Sequence, residues 1–147
     1  MPSIGAPIAA DFPDWRELYE GYAAFYRVPM TDAIAARLFA WLLDPAHVLE
    51  GRIARDAEGR AIGLAHFRAM PRPLAAAEIG FLDDLFVAPS ARGQGVGGAL
   101  IDAVATEARA RGWTALRWIT AADNATARAL YDRLARATHW VTYELKP

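Results

Sequence analysis

The sequence predicts an α/β fold: a central mixed β-sheet, antiparallel in its first half, with helices on both faces. Two observations carry this. Two strand-like runs joined by a short turn form a hairpin in the first half of the chain, and β–α–β–α–β alternation follows it. Neither an internal repeat nor a linker interrupts the pattern. The 147 residues therefore read as one domain, 1–147, long enough to bury a core.

Each element has a local signal. Ile4 to Ala9 reads as a short first strand. Asp11 and Pro13 then start a helix that carries Trp15, Leu18, Tyr19, Tyr22 and Tyr26 at helical spacing. Thr31 caps a second helix with Ile34, Leu38, Trp41 and Leu42, and Asp44-Pro45 stops it. His47 to Arg55 and Arg60 to Ala69 are strand-like, joined by the turn Asp56-Ala57-Glu58-Gly59. Met70-Pro71-Arg72-Pro73 makes a break before a strand that ends at Val87. A helix runs to about Arg111, with Gly112 as its stop. Ala115 to Thr120 is a strand, Asn124 to about Ala135 a helix, and Trp140 to Leu145 a last strand.

The segment from Leu82 to Val104 is the most informative. An apolar strand breaks at Pro89, and a turn led by Arg92 opens into an amphipathic helix. Gly93, Gly95, Gly97 and Gly98 remove side chains that would keep an anion from the backbone N–H groups of the first helical turn. Those groups lack intrahelical partners at the positive end of the helix dipole, so the loop reads as a phosphate or pyrophosphate seat. Gly93, Gly95 and Gly98 fit the dinucleotide pattern G-x-G-x-x-G. That pattern normally begins at a strand end, whereas here Ala88 to Arg92 intervene, and too little chain follows for a doubly wound sheet. No Gly-Lys-Ser/Thr occurs, which removes the Walker reading.

Composition excludes several classes. Net charge is −1, so no bulk attraction to nucleic acid is expected. The absence of cysteine removes disulfides, thiolate metal sites and a cysteine nucleophile. His47 and His139 lie far apart and no ligand spacing argues for a metal. There is no apolar run of membrane-spanning length and no basic leader, so a cytoplasmic protein is the expectation.

Two motifs now combine. Arg92-x-x-Gly95-x-Gly97, five residues beyond Val87, resembles the acetyl-coenzyme A motif of the GNAT N-acetyltransferases. Asn124-Ala-Thr-Ala127-Arg-Ala-Leu130-Tyr131 is similar to that family's N-x-x-A-x-x-L-Y helix. The order of elements from Arg52 to Leu145 matches as well. The tyrosine-rich first helix and the LDDLFV segment further resemble the branch containing yeast histone and polyamine acetyltransferases.

The resemblance implies a splayed strand pair that gives the pantetheine of acetyl-CoA a slot. A bulge in the strand ending at Val87 leaves backbone groups of Leu85, Phe86 and Val87 to pair with the pantetheine amides. The pyrophosphate rests on the backbone of Gly93, Gln94, Gly95, Val96, Gly97 and Gly98, with Arg92 shaping the loop. Asn124 either reaches the pantetheine or serves as a helix N-cap. After Tyr131 the family often carries a glycine before its final strand, and Asp132 to Trp140 has none here. That strand often takes part in dimer contacts, so a homodimer is an expectation.

Chemistry assigns the remaining roles. Aminolysis of a thioester expels a thiolate, and a phenol near the sulfur can protonate it; Tyr131 is the candidate. An amine acceptor is mostly protonated at neutral pH, with an ordinary pKa of about 10.4, and a carboxylate, often acting through water, can take its proton, unless water alone does so. Asp83 is preferred, because polyamine acetyltransferases have an acid at the matching place; Asp84, Glu78 and His66 are the alternatives. Asp83 and Asp84 are neighbours and should face opposite sides of an undistorted strand. Tyr19, Tyr22 and Tyr26 can either wall an acceptor pocket or pack in the core. The expectation is direct transfer from acetyl-CoA to a primary amine of a small molecule or a peptide, without metal, nucleic acid or membrane. The alternatives are an acyl-CoA sensor without turnover and, more distantly, an NAD-binding protein.

Overall fold

The computed structural model describes residues 1–147. Strand β1 (Ser3–Gly5) leads through a 3-10 turn into α1 (Phe12–Phe25) and α2 (Asp32–Leu43). Then come β2 (Leu49–Arg55), β3 (Ala61–Arg72), β4 (Ala77–Val87), α3 (Val96–Ala110), β5 (Leu116–Trp118) and α4 (Ala125–Leu134). The five strands form one sheet in chain order. The first four run antiparallel, and β5 is parallel to β4.

Period-2 alternation sorts the side chains between two cores. Ile53 and Leu64 face α1 and α2, where they meet Trp15, Leu18, Ala35, Phe39 and Leu42. Their neighbours Ala54 and Ala65, with Phe67 and Leu82, face α3 and meet Val96, Leu100, Ile101 and Val104. Burying a Leu, Ile, Val or Phe side chain is worth about 1.5–3 kcal/mol, so both helical layers are held mainly by these faces. Thr31 accepts from Ile34 N at 3.1 Å, the cap expected for α2. Gly112 takes φ +71° after α3, the stop its position implied.

Three expectations are corrected. The chain does not break at Met70; β3 continues to Arg72, with Met70, Pro71 and Arg72 paired to Ile79, Glu78 and Ala77. β2 has already ended at Leu49, opposite Arg68, so no ladder on that side needs an N–H from Pro71. The first strand is shorter than Ile4 to Ala9, because only Ser3, Ile4 and Gly5 find partners on β2. Trp140 to Leu145 form no strand. No strand of the chain pairs with them, and Trp140, Val141, Tyr143 and Leu145 stay exposed. No helix is long and apolar enough to cross a membrane.

Candidate active site

The site starts from an irregularity in β4. β3 pairs His66 with Asp84 but Phe67 with Leu82, which leaves Asp83 as an extra, unpaired residue. β5 pairs with β4 only at Gly80, Phe81 and Leu82, just short of that bulge. From Asp83 to Val87 the β5 side of β4 is therefore unpaired, and the two strands part. Beside this unpaired stretch lies a cleft of about 570 Å³, bounded by β4, the glycine loop, α1 and α4. Leu85, Phe86 and Val87 line one wall.

The glycine loop forms the floor. Gly93 and Gly95 take φ +74° and +79°, a region closed to most side chains. Gly95 is the N-cap of α3, and the first bond of the helix runs from Ala99 N to Gly95 O at 3.0 Å. The N–H groups of residues 93–98 enter no loop or cap hydrogen bond. Free N–H groups at a helix N-terminus suit an anion. Arg92 Nε donates to Val87 O at 3.1 Å, and its guanidinium stacks over Phe86, so the loop is tied to the strand it follows.

Helices α4 and α1 close the remaining sides. Asn124, Thr126, Leu130 and Tyr131 line the cleft from α4, and Tyr22, Phe25 and Tyr26 line it from α1. The Asn124 side chain accepts from Ala127 N at 3.4 Å, so it acts as the helix cap while bordering the cleft. Burial raises the Tyr131 hydroxyl above its ordinary pKa, and nearby Tyr26 adds to the effect. Tyr131 therefore holds its proton throughout the neutral range.

Behind the bulge lies a buried polar chain. Trp15 Nε1 donates to His66 Nε2 at 3.0 Å, and His66 Nδ1 meets Asp84 Oδ2 at 2.8 Å. Tyr19 donates its hydroxyl to the same oxygen at 3.0 Å. The Tyr22 hydroxyl faces this carboxylate without closing a full hydrogen bond. Burial opposes ionisation of Asp84, but the hydrogen bond from His66, with the Tyr22 and Tyr19 hydroxyls facing the carboxylate, overcomes it and holds the carboxyl below the usual carboxylate range. Burial, then the Asp84 charge, pushes both tyrosine hydroxyls well above their ordinary range.

The bulge also decides where Asp83 points. Asp83 bonds Arg68 Nε at 3.0 Å and feels the charge of Asp84. Both carboxylates therefore lie on the α1 side of the sheet, not on opposite faces as a regular strand requires. Burial raises the Asp83 pKa, and Arg68 opposes the rise without cancelling it.

The structure thus brings together Leu85, Phe86, Val87, Arg92, Gly93, Gly95, Val96, Gly97, Gly98, Asn124 and Tyr131 around one cleft. Gln94, Asp83 and Asp84 are not among its lining residues. Glu78 is set apart, near the tip of the β3–β4 hairpin beside Arg72 and Trp113. Sequence reasoning missed Phe25 and the Trp15–His66 bond. A tryptophan buried to 0 % exposure must find an acceptor for its N–H, which is the signal that could have led from Trp15 to a polar partner.

Comparison with known proteins agrees with this geometry. The sequence profile of the acetyltransferase (GNAT) family matches residues 15–135. The D-amino-acid N-acetyltransferase HPA3 of Saccharomyces cerevisiae is 35% identical over 131 residues, covering 88% of this chain and 81% of the yeast protein. A ribosomal-protein-alanine N-acetyltransferase from Brucella melitensis superimposes with a TM-score of 0.84 at 27% identity, covering 99% of both chains. An aminoglycoside N-acetyltransferase in complex with CoA shares the fold, with a TM-score of 0.85 at 24% identity over 99% of this chain and 95% of its own. With the glycine loop, the parted strands and the asparagine-to-tyrosine helix in place, the chain belongs to the GNAT acetyltransferase family and is an N-acetyltransferase.

Proposed function

We propose that the protein transfers the acetyl group of acetyl-CoA directly to a primary amine of a small molecule, with an amino acid or a polyamine as the preferred class and a peptide amine behind it. The observation that carries this reading is the cleft itself. It joins the free N–H groups of the glycine loop, the unpaired edge of β4 and the Tyr131 hydroxyl in one space. In this reading the loop from Gly93 to Gly98 holds the pyrophosphate, and Leu85, Phe86 and Val87 take the pantetheine as an added strand. Acetyl-CoA supplies an activated acyl carbon and a thiolate leaving group. Tyr131 gives its proton to that thiolate, and the carboxylates at the bulge, Asp83 and Asp84, accept the proton of the amine.

Tyr22, Phe25 and Tyr26 form the acceptor side of the cleft. Their ring faces suit an organic cation, and the acids behind them add charge complementarity. The yeast relative's activity on D-amino acids supports an amino-acid amine among the acceptors. Exposed Trp140, Val141, Tyr143 and Leu145, together with the unpaired outer edge of β5, support a homodimer.

Thiol release from acetyl-CoA, followed across D- and L-amino acids, polyamines, aminoglycosides and peptides, tests the reading. Turnover with at least one amine is expected. Tight CoA binding without turnover on any amine would favour the sensor alternative instead.

A further inference from the structure

The Trp15–His66–Asp84 chain has a polarity that only its donors and acceptors reveal. An indole N–H can donate and cannot accept. His66 Nε2, 3.0 Å from Trp15 Nε1, must therefore offer a lone pair. The single proton of the ring then sits on Nδ1 and is donated to Asp84 Oδ2 at 2.8 Å. A second proton on Nε2 would point at the indole N–H, at an imidazole with 0 % exposure and no room for water to relieve it.

We propose that Trp15 and His66 are positioning residues for proton removal from the acceptor: Trp15 locks His66 as the neutral Nδ1–H tautomer, so Asp84 meets the substrate ammonium as an unneutralised carboxylate. The proposal rests on the amine-acceptor reading given above and adds which carboxylate acts and what keeps it charged.

The two oxygens of Asp84 are used differently. Oδ2 takes both hydrogen bonds, from His66 and Tyr19, while no hydrogen bond within the chain closes on Oδ1. The Asp84 side chain keeps 18% exposure, and no polar atom there is buried without a partner. Oδ1 is thus the open side of a carboxylate whose other oxygen is fixed. Tyr22, which lines the cleft, presents its hydroxyl to the same group and links it to the acceptor space. Asp83 differs, because both of its oxygens lie against Arg68 Nε, at 3.3 and 3.0 Å. A cationic His66 would make Asp84 an ion pair like Asp83.

The charged and titratable groups around the imidazole are few. They are Asp84 and Asp83 on β4, Arg68 on β3 as the partner of Asp83, and Tyr19 and Tyr22 on α1. From β2 it is Gly51 that lies opposite His66. The step is a proton transfer alone. An N–H bond of the ammonium breaks, an O–H bond forms at Asp84 Oδ1, and the nitrogen lone pair is freed for attack on the acyl carbon.

Nitrogen NMR of the imidazoles, with His66 assigned through His66→Asn, reads the tautomer on the ligand-free protein. At neutral pH Nε2 is expected unprotonated and Nδ1 protonated. In Trp15→Phe, Nε2 should take up a proton more readily than in native protein as pH falls. The KM for the amine should then rise roughly three- to tenfold as pH falls, relative to native enzyme, while the KM for acetyl-CoA stays level. The double variant Trp15→Phe/His66→Asn has no imidazole to charge, so the acid-side rise should vanish in it even if packing is loosened. A protonated Nε2 in the native protein overturns the proposal, and so does a Trp15→Phe acceptor KM that follows the native pH profile. Persistence of the acid-side rise in the double variant overturns it too. Absence of native turnover on every amine would instead bring down the acetyltransferase reading and this proposal with it, whatever the tautomer.

Discussion

Trp118 at the end of β5 stands edge-on to the Tyr131 ring, with centroids 5.4 Å apart and planes at 69°. The ring of Tyr131 is therefore held by packing, independent of its hydroxyl. Tyr131→Phe should keep this contact and the affinity for CoA. Its kcat should fall about 10²–10⁴-fold, the usual size of a lost proton donor. Because burial raises the Tyr131 pKa, native activity should show no alkaline loss from this group below the ordinary tyrosine range. Single-turnover thiol release against pH checks both points, and native-rate turnover by the Phe variant would make Tyr131 structural.

The glycine loop predicts a split between two kinds of substitution. Gly95 sits at φ +79° with nothing within 4 Å of an added Cβ, so Gly95→Ala suffers from backbone strain alone, of order 1–3 kcal/mol. A Cβ on Gly97 would touch Leu130 at 3.5 Å, an ordinary contact, so Gly97→Ala should fold normally. Gly95→Glu and Gly97→Glu should both abolish CoA binding, because a carboxylate would occupy the anion seat. Calorimetry with acetyl-CoA, NAD and ATP tests this, and equal affinity for NAD would overturn the cofactor assignment.

Asp83→Asn separates charge from shape at the bulge. If Asp83 helps remove the acceptor proton, turnover falls and the deficit narrows as pH rises, because more amine is already neutral. Stability should move the other way. The folded-state pKa of Asp83 is raised, so its stabilising contribution is present below the unfolded carboxylate pKa and lost as pH rises through the folded value. At neutral pH the Asn variant should be at least as heat-stable as native protein, with that relative gain disappearing at acid pH. An unchanged pH–rate profile with every active amine would remove Asp83 from the mechanism.

Gly80 predicts a purely structural defect. A Cβ there would lie 2.6 Å from the Trp113 ring and 3.0 Å from Leu116. Gly80→Ala should cost about 1–3 kcal/mol by overpacking, read as a lower midpoint of thermal unfolding. It should also weaken CoA binding, since Gly80 is one of only three β4 residues paired to β5.

The homodimer reading is tested by sedimentation. Val141→Asp and Tyr143→Asp place charges on exposed apolar positions, so they should leave a monomer folded and dissociate a dimer. A native protein that sediments as a monomer at every concentration would sink the reading.

Legibility from sequence followed the range of the interactions involved. The glycine loop and the Asn124–Tyr131 helix are local signals, and both line one cleft. Pro71 misled, because a proline breaks a strand only where its N–H is required, and that depended on how far β2 reaches along β3. The resemblance implied a bulge in this strand but not its position, so the facing of Asp83 and Asp84 was out of reach until the pairing of His66 with Asp84 exposed it. Trp15 and His66 stand 51 residues apart, so their bond had no short-range trace.

The three-residue seam between β4 and β5 leaves the chain from β5 onward weakly coupled to the rest. α4 has no fully buried residue, and each residue of β5 keeps partial exposure. This portion should open as a unit at a lower free energy than global unfolding, so its amides should exchange with solvent long before those of β2 and β3. A molecule spanning the cleft would touch both sides of the seam and act as a clasp. Substrate occupancy would then set not only the chemistry but how often this segment is exposed to proteases, tying the protein's lifetime to the supply of its own donor.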